Sequence, residues 1–122
     1  MSAVETGRRG EEWAAQALAG HGYVIMDANW RCRGGEIDLV AREGDIWVFV
    51  EVKLRTSTEY GLPEEAVDHR KRARLLRAAQ LYLAEAGLDD AAWRIDVVAI
   101  ELAPSGRVQR LTVHRDAVRY DG

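Results

Sequence analysis

Apolar side chains change their spacing along the chain, and each change indicates a different structural element. Residues 7–22 have apolar positions three and four apart, which predicts a helix that ends at residues 20–22. A second helix is predicted from about Glu64 to about Ala86, with Gly87 as its stop. The predicted strands are residues 23–30, 35–41, 45–55, 92–102 and 107–114.

The order of these elements is one helix, three strands, a second helix and two more strands. Elements in this order are typical of an α/β domain with one sheet flanked by helices. A chain of 122 residues is long enough for a hydrophobic core but short for two domains. We therefore expect residues 1–122 to form one domain.

Composition narrows the class of protein and its compartment. Hydrophobic residues make up 48% and charged residues 30%, which is ordinary for a globular protein, and no apolar run approaches the ~20 residues of a membrane-spanning helix. A single cysteine, Cys32, excludes an internal disulfide and a cysteine-cluster zinc site. Because the first residues lack the layout of a signal peptide, we expect a cytoplasmic protein with no membrane partner.

Charged residues interrupt the second and third predicted strands, where burial makes unpaired charge costly. Glu36 and Asp38 lie in "GEIDLVA", and Glu51 and Lys53 lie in "DIWVFVEVKLR". Side chains alternate along a strand, so the members of each pair are expected to share a face.

The turn between these strands decides whether the two polar faces coincide. A two-residue turn at residues 43–44 would place Glu36 opposite Glu51. Asp38 would then lie opposite Phe49 and diagonal to Glu51. This register predicts that the charged side chains of both strands lie on one surface.

Two interpretations of this acidic surface are open. Lys53 can neutralise Asp38 or Glu51 in an internal salt-bridge network. Alternatively, the two carboxylates can hold a divalent cation, and oxygen ligands without His or Cys favour Mg²⁺ or Mn²⁺. The lysine could then orient or deprotonate a water, which suits hydrolysis of a phosphodiester. The hairpin and its hydrophobic flanks favour the metal site.

The same residues resemble the signature of the PD-(D/E)xK nuclease superfamily, which includes restriction endonucleases and Holliday-junction resolvases. Asp38 is followed by Glu51-Val52-Lys53 in the expected order of elements, although Ile37 occupies the position of the name-giving proline. The resemblance implies a restriction-endonuclease-like αβββαββ core with a mixed central sheet flanked by helices.

A more extensive resemblance, to the YraN-type family of small resolvase-like proteins, covers nearly the whole chain. The segments that carry it are "GRRGEEWAAQAL", "GEIDLVAREGDIWVFVEVKLR", "AVDHRKRARLLRAAQLYL" and "RIDVVAI". The resemblance implies a metal-dependent nuclease in which Asp38 and Glu51 bind the metal and Lys53 is the catalytic lysine. It also implies that Glu11 completes the site, and the carbonyl of Val52 is a further candidate ligand.

Several charged positions keep more than one interpretation. Glu11 is expected to face the sheet, where it can complement the helix dipole or reach the metal site. The resemblance favours the metal site, with the neighbouring Glu12 as the alternative residue. Glu36 is either an outer ligand or a strand-entry residue paired with Arg33 or Arg55.

Basic residues cluster on the second helix, although the net charge is −3. Arg70, Arg74 and Arg77 recur at i, i+4 and i+7 and form one stripe, and Lys71 is expected to point elsewhere around the helix. Such a stripe is either solvated or binds the phosphates of nucleic acid. Arg55 is a further candidate for nucleic-acid binding.

Three other residues are expected to stabilise or shield the structure rather than to bind a ligand. Asp96 interrupts an apolar strand and is expected to hydrogen-bond within the structure. Trp47 and Phe49 share the polar face of the third strand. We expect them to shield the site under the first helix rather than offer a stacking surface for bases.

Two hypotheses of function follow, an enzyme and a binding module. The enzyme is a Mg²⁺- or Mn²⁺-dependent endonuclease, and DNA is expected as its nucleic acid rather than RNA. Branched or structured DNA is the expected substrate by analogy of fold. Symmetric cutting of a junction would require a homodimer. The alternative is a non-catalytic nucleic-acid-binding module, which the negative net charge favours. The complete set of Asp38, Glu51 and Lys53 favours the enzyme.

Overall fold

The computed structural model describes residues 3–56 and 69–118 of the chain. These residues form helices and strands in the predicted order. Within them, no helix is both long and apolar enough to cross a membrane. The elements are α1 (Ala3–Gly20), β1 (Val24–Cys32), β2 (Gly35–Glu43), β3 (Ile46–Thr56), α2 (His69–Glu85), β4 (Trp93–Leu102) and β5 (Val108–Val118).

The five strands form one mixed sheet in the order β1-β2-β3-β4-β5. β3 and β4 run parallel, and the other neighbours run antiparallel. A parallel pair needs a crossover connection, and α2 lies within that crossover. The predicted α/β class is confirmed, and the arrangement is a restriction-endonuclease-like core.

Each face of the sheet has its own hydrophobic core. On one face, Leu18 of α1 packs with Val48 and Val50 of β3. On the other face, Leu75 of α2 packs in a cluster with Phe49. Successive residues of β3 therefore pack toward different helices, because side chains alternate between the two faces of a strand. The prediction that Phe49 lies under the first helix is wrong, because α2 covers its side of the sheet.

The β2–β3 hairpin turns one residue later than predicted. Glu43 pairs with Ile46, so Gly44 and Asp45 form the two-residue turn. The predicted turn at residues 43–44 would have required a positive φ at Glu43. Gly44 has a φ of +61 and adopts this conformation without the clash that a Cβ would cause.

The later turn gives the acidic residues of the hairpin new partners. Phe49 pairs with Val40 instead of Asp38. The predicted pairing of Glu36 with Glu51 is therefore wrong as well. Moving the turn by one residue shifts each cross-strand pair by two residues. A shift of two keeps every side chain on its predicted face, whereas a shift of one would move it to the opposite face.

Some boundaries differ from the prediction. α1 begins at Ala3 rather than at residue 7, and β1 continues to Cys32 rather than ending at residue 30. The predicted start of the second helix near Glu64 lies outside the described residues. Its described part, His69–Glu85, ends close to the predicted Ala86.

α2 rests closely on the turn between β1 and β2. A Cβ at Gly35 would lie 2.9 Å from the backbone oxygen of Arg74 and 3.4 Å from the Cβ of Ala78. The first distance is too short for a carbon–oxygen contact, and a helix backbone cannot rotate away as a side chain can. Glycine at this position therefore allows the middle of the described part of α2 to approach the sheet.

Replacement of Gly35 by alanine should separate α2 from the sheet. We expect Gly35→Ala to lower the free energy of unfolding by about 1–3 kcal/mol, as overpacking does in other cores. Urea unfolding of the purified variant measures this change.

Gly10→Ala is the matched control in α1. A Cβ at Gly10 would meet only side-chain atoms of Leu54 and Val52, at 3.5–3.7 Å, which is ordinary contact. Because alanine also favours a helix, we expect no loss and a gain of up to about 1 kcal/mol. Equal destabilisation by the two substitutions would contradict the proposed close contact at Gly35.

Candidate metal and catalytic site

β2 separates from β3 at Asp38. The ladder between the strands ends with the pair of Leu39 and Val50. Leu39 packs in the core under α1, but Ile37, two residues earlier, packs under α2. The alternation of side chains along β2 is therefore broken at Asp38. Asn29, which has a φ of +53, lies across from it on β1.

Asp38 directs its carboxylate toward β3 where the backbone ladder stops. The backbone N–H of Val52 donates a 2.8 Å hydrogen bond to Asp38 Oδ2, and Asp38 also shares a side-chain hydrogen bond with Glu51. Burial raises the pKa of Asp38 to about 8, and the negative charge of Glu51 adds to this effect, while the Val52 N–H opposes it. Without a cation, the folded protein therefore favours the protonated form of Asp38.

Glu51 is held by two lysines. Lys53 Nζ lies 3.1 Å, and Lys71 Nζ 2.9 Å, from the same oxygen, Glu51 Oε1. The side chains of Glu51 and Lys53 are 8% and 11% exposed, whereas that of Lys71 is 45% exposed. The salt bridge of the simpler interpretation thus exists at Glu51, and Asp38 is hydrogen-bonded beside it.

Glu11 approaches the same region from α1. Its pKa is raised by burial, and a side-chain hydrogen bond with Asn29 opposes that shift. The charge of Glu11 also raises the pKa of Asp38, whereas Glu12 is exposed on the helix. Within the described ranges, no three His, Cys, Asp or Glu side chains lie close enough together to hold a metal. The role of Glu11 as a third ligand stays a prediction.

An open cavity of about 760 Å³ lies between α2 and the β1–β2 turn. Glu51 forms part of its wall. The acid is therefore accessible from a space bordered by several cations. These are Arg31, Arg70, Lys71 and Arg74.

Other predicted residues differ in their relation to this cavity. Arg70 and Arg74 line it as a pair, whereas Arg55 and Arg77 are not part of its lining. The Arg77 side chain instead lies near the β1–β2 turn. Its Nη1 would be 3.7 Å from a Cβ built on Gly34. The nucleic-acid role of all four arginines stays a prediction.

Glu36 lies at the edge of the cavity and pairs with Arg31. The carboxylate Oε2 is 3.5 Å from the Arg31 Nε, and both side chains are exposed. Glu36 therefore pairs with Arg31, which lies directly across the β1–β2 ladder, instead of with the predicted Arg33 or Arg55. Val52 contributes its N–H to Asp38, and its carbonyl as a metal ligand stays a prediction.

Lys71 contacts the site, contrary to the expectation that it points elsewhere. It lies four residues before Leu75 and seven before Ala78, both of which are buried against the sheet. These spacings place Lys71 on the core-facing stripe of α2 rather than on its solvated side. A lysine at the spacing of the apolar stripe is the sequence signal that identifies it.

Asp96 is a second buried acid, and its partners satisfy it within the fold. Tyr23 Oη and Arg94 Nε donate hydrogen bonds to it at 3.0 Å and 2.9 Å, and the backbone N–H of Asp116 donates a third at 2.8 Å. Arg94 also pairs with Glu43 at 2.9 Å. The side chain of Asp96 hydrogen-bonds structurally, as the sequence predicts.

The raised pKa of Asp38 predicts how stability depends on pH without metal. The group binds a proton in the folded chain up to a pKa of about 8, but only up to its ordinary value of 3.8 when unfolded. The free energy of unfolding in EDTA should therefore fall as pH rises through this window. Asp38→Asn should flatten that fall and raise the stability at high pH, as measured by urea unfolding at several pH values.

Asp45→Asn in the same hairpin is the matched control. The Asp45 side chain is fully exposed and lies 3.8 Å from Arg42, so its removal should leave the pH dependence as in the wild type. An Asp38→Asn variant with the slope of the wild type would contradict the raised pKa.

The sequence matches the profile described as uncharacterised protein family UPF0102 over residues 10–100. A UPF0102 protein of Syntrophus aciditrophicus is 48% identical over 103 residues, which cover 84% of this chain and 81% of the relative. One of Moorella thermoacetica is 45% identical over 117 residues, 96% of this chain and 98% of the relative. The chain therefore belongs to the UPF0102 family, which is the YraN family, as its four sequence segments predicted.

Proposed function

We propose that this protein is a metal-dependent endonuclease that hydrolyses phosphodiester bonds in DNA. The observation that carries the proposal is the contact between Asp38 and Glu51 where β2 leaves β3, with Lys53 bound to the second acid. Phosphodiester hydrolysis needs positive charge near the phosphoryl oxygens, an activated water and a hold on the negative strand. Residues suited to each need lie around this contact.

The donor set at Asp38 and Glu51 fits a divalent cation. Both side chains offer carboxylate oxygens, which Mg²⁺ and Mn²⁺ prefer. Burial and the charge of Glu51 oppose ionisation of Asp38, and a cation bound at the two acids would remove that opposition. A bound divalent cation would supply Lewis-acid stabilisation of phosphoryl charge and a water of lowered pKa. Glu11 and the Val52 carbonyl are the further proposed ligands.

Lys53 is the proposed catalytic lysine. Its ammonium is 3.1 Å from Glu51 Oε1 and is largely buried, so it is held beside the acids rather than in solvent. From there it can donate a hydrogen bond to the attacking water or to a phosphoryl oxygen as charge grows. An ammonium can also release a proton, which a guanidinium does not do.

The cavity beside Glu51 supports a polyanionic substrate. Arg31, Arg70 and Arg74 line it, and arginine binds phosphate oxygens through paired hydrogen bonds. Because the net charge of the chain is −3, these local cations, not the bulk charge, would attract DNA. Branched or structured DNA is proposed by analogy of fold, and two copies of the chain would be needed to cut a junction symmetrically.

A cleavage assay with matched variants tests the proposed function. Duplex, single-stranded, flap and four-way DNA are incubated with the protein and either Mg²⁺ or Mn²⁺. We expect cutting of at least one substrate, with a loss of about 100-fold or more in Asp38→Asn and Lys53→Met, because each removes a group needed for the chemistry.

Two control variants each remove one charge, a carboxylate or a cation, at a position outside the proposed site. Asp45→Asn removes a carboxylate from the exposed turn of the hairpin, and Arg107→Ala removes a cation from the exposed β4–β5 turn. Both should cut as the wild type does. Cutting that survives Asp38→Asn would contradict the proposal, and DNA binding without cutting on every substrate would favour a binding module.

A further inference from the structure

Both lysines of the chain bind one carboxylate oxygen. The sequence has only two lysines, against fifteen arginines. Lys53 comes from β3 and Lys71 from α2, and their ammonium nitrogens lie 3.1 Å and 2.9 Å from Glu51 Oε1. Glu51 therefore binds both lysine ammonium groups of the chain. An ammonium is compact and strongly hydrated, unlike the planar guanidinium of arginine.

A divalent cation would change the balance of charge at this oxygen. Both ammonium groups already lie at Glu51 Oε1, one of the oxygens that the metal would need. A further double positive charge at the same acids would leave strong repulsion among the cations. We therefore expect one ammonium to move away from Glu51 when the metal binds.

Burial determines which lysine moves. The Lys53 side chain is 11% exposed within the central strand, so little space surrounds it. The Lys71 side chain on α2 is 45% exposed and lines the open cavity together with Arg70 and Arg74. Lys71 has a flexible stem and a neighbouring space in which its ammonium can be solvated or can meet an anion.

We propose that Lys71 is a positioning residue that occupies Glu51 in the metal-free protein and moves into the cavity when a divalent cation binds. In the metal-free state Lys71 holds the Glu51 carboxylate at the wall of the cavity. In the loaded state its ammonium joins Arg70 and Arg74 and contacts a phosphate of the nucleic acid. This inference rests on the metal site of the proposed function.

Lysine-selective NMR tests the movement directly, because only two lysines contribute signals. The full-length protein is labelled with ¹³C-lysine, and Lys71→Arg assigns the two ε-methylene signals. During titration with Mg²⁺, the Lys71 signal should move and narrow toward that of an exposed lysine. The Lys53 signal should remain that of a confined side chain.

Arg107→Lys gives an internal reference in the same spectrum. Residue 107 lies on the exposed β4–β5 turn, outside the cavity, so the added lysine reports an unconfined ammonium and any unspecific effect of salt. A Lys71 signal that stays unchanged while the Lys53 signal moves would overturn the inference but leave the metal site intact. If neither signal responds to Mg²⁺, both the inference and the metal site fail.

Metal affinity provides a second readout that does not depend on cutting. Because Lys71 competes with the cation for Glu51, Lys71→Met should bind Mg²⁺ about 3- to 10-fold more tightly than the wild type in calorimetry. Arg107→Met removes a cation far from Glu51 and should leave the affinity unchanged. Equal or weaker binding by Lys71→Met would overturn the inference. A moving Lys71 signal in a protein that cuts no DNA would support it while the proposed function fails.

Discussion

Two carboxylic acids held in contact inside a mostly apolar sheet are the constraint on which the candidate site depends. Asp38 and Glu51 share a hydrogen bond, and the pKa of Asp38 is raised because burial and the neighbouring charge disfavour its ionised form. The contact exists because β2 leaves β3 after Leu39, so the Asp38 carboxylate accepts the N–H of Val52. A break in the sheet thus creates a position where a positive ion would be stabilised.

The other buried acid of the sheet shows how different this arrangement is. Asp96 is fully buried, but Arg94, Tyr23 and a backbone N–H donate hydrogen bonds to it, which satisfies the carboxylate within the fold. The strongest charges on Asp38 are instead those of two other acids, Glu51 and Glu11. Asp96 therefore stabilises the fold, whereas Asp38 has a raised pKa caused by burial and neighbouring acids, a kind of perturbation that clusters at functional sites.

The sequence predicts the class and order of the fold because the periods of its apolar positions differ clearly between helices and strands. It also predicts that Asp38, Glu51 and Lys53 belong together, since a register shift of two residues preserves the faces of a hairpin. The predicted turn lies one residue too early, because the sequence at residues 43–44 does not reveal which residue adopts a positive φ.

Other features depend on tertiary packing and could not be read from local patterns. The broken alternation at Asp38 arises because Ile37 and Leu39 pack under different helices. The approach of Lys71 to Glu51 depends on the contact of α2 with Gly35. Each of these contacts joins elements that are distant in the chain, whereas periodicity reports only which face of one element is apolar.

The most direct measurement of the central claim is a crystal structure grown with Mn²⁺ and recorded where manganese scatters anomalously. We predict one strong anomalous peak within ligand distance of both Asp38 and Glu51 and its absence in crystals of Asp38→Asn. A peak at other residues, or no peak beside an intact pair of acids, would contradict the claim that these two acids share a metal ion.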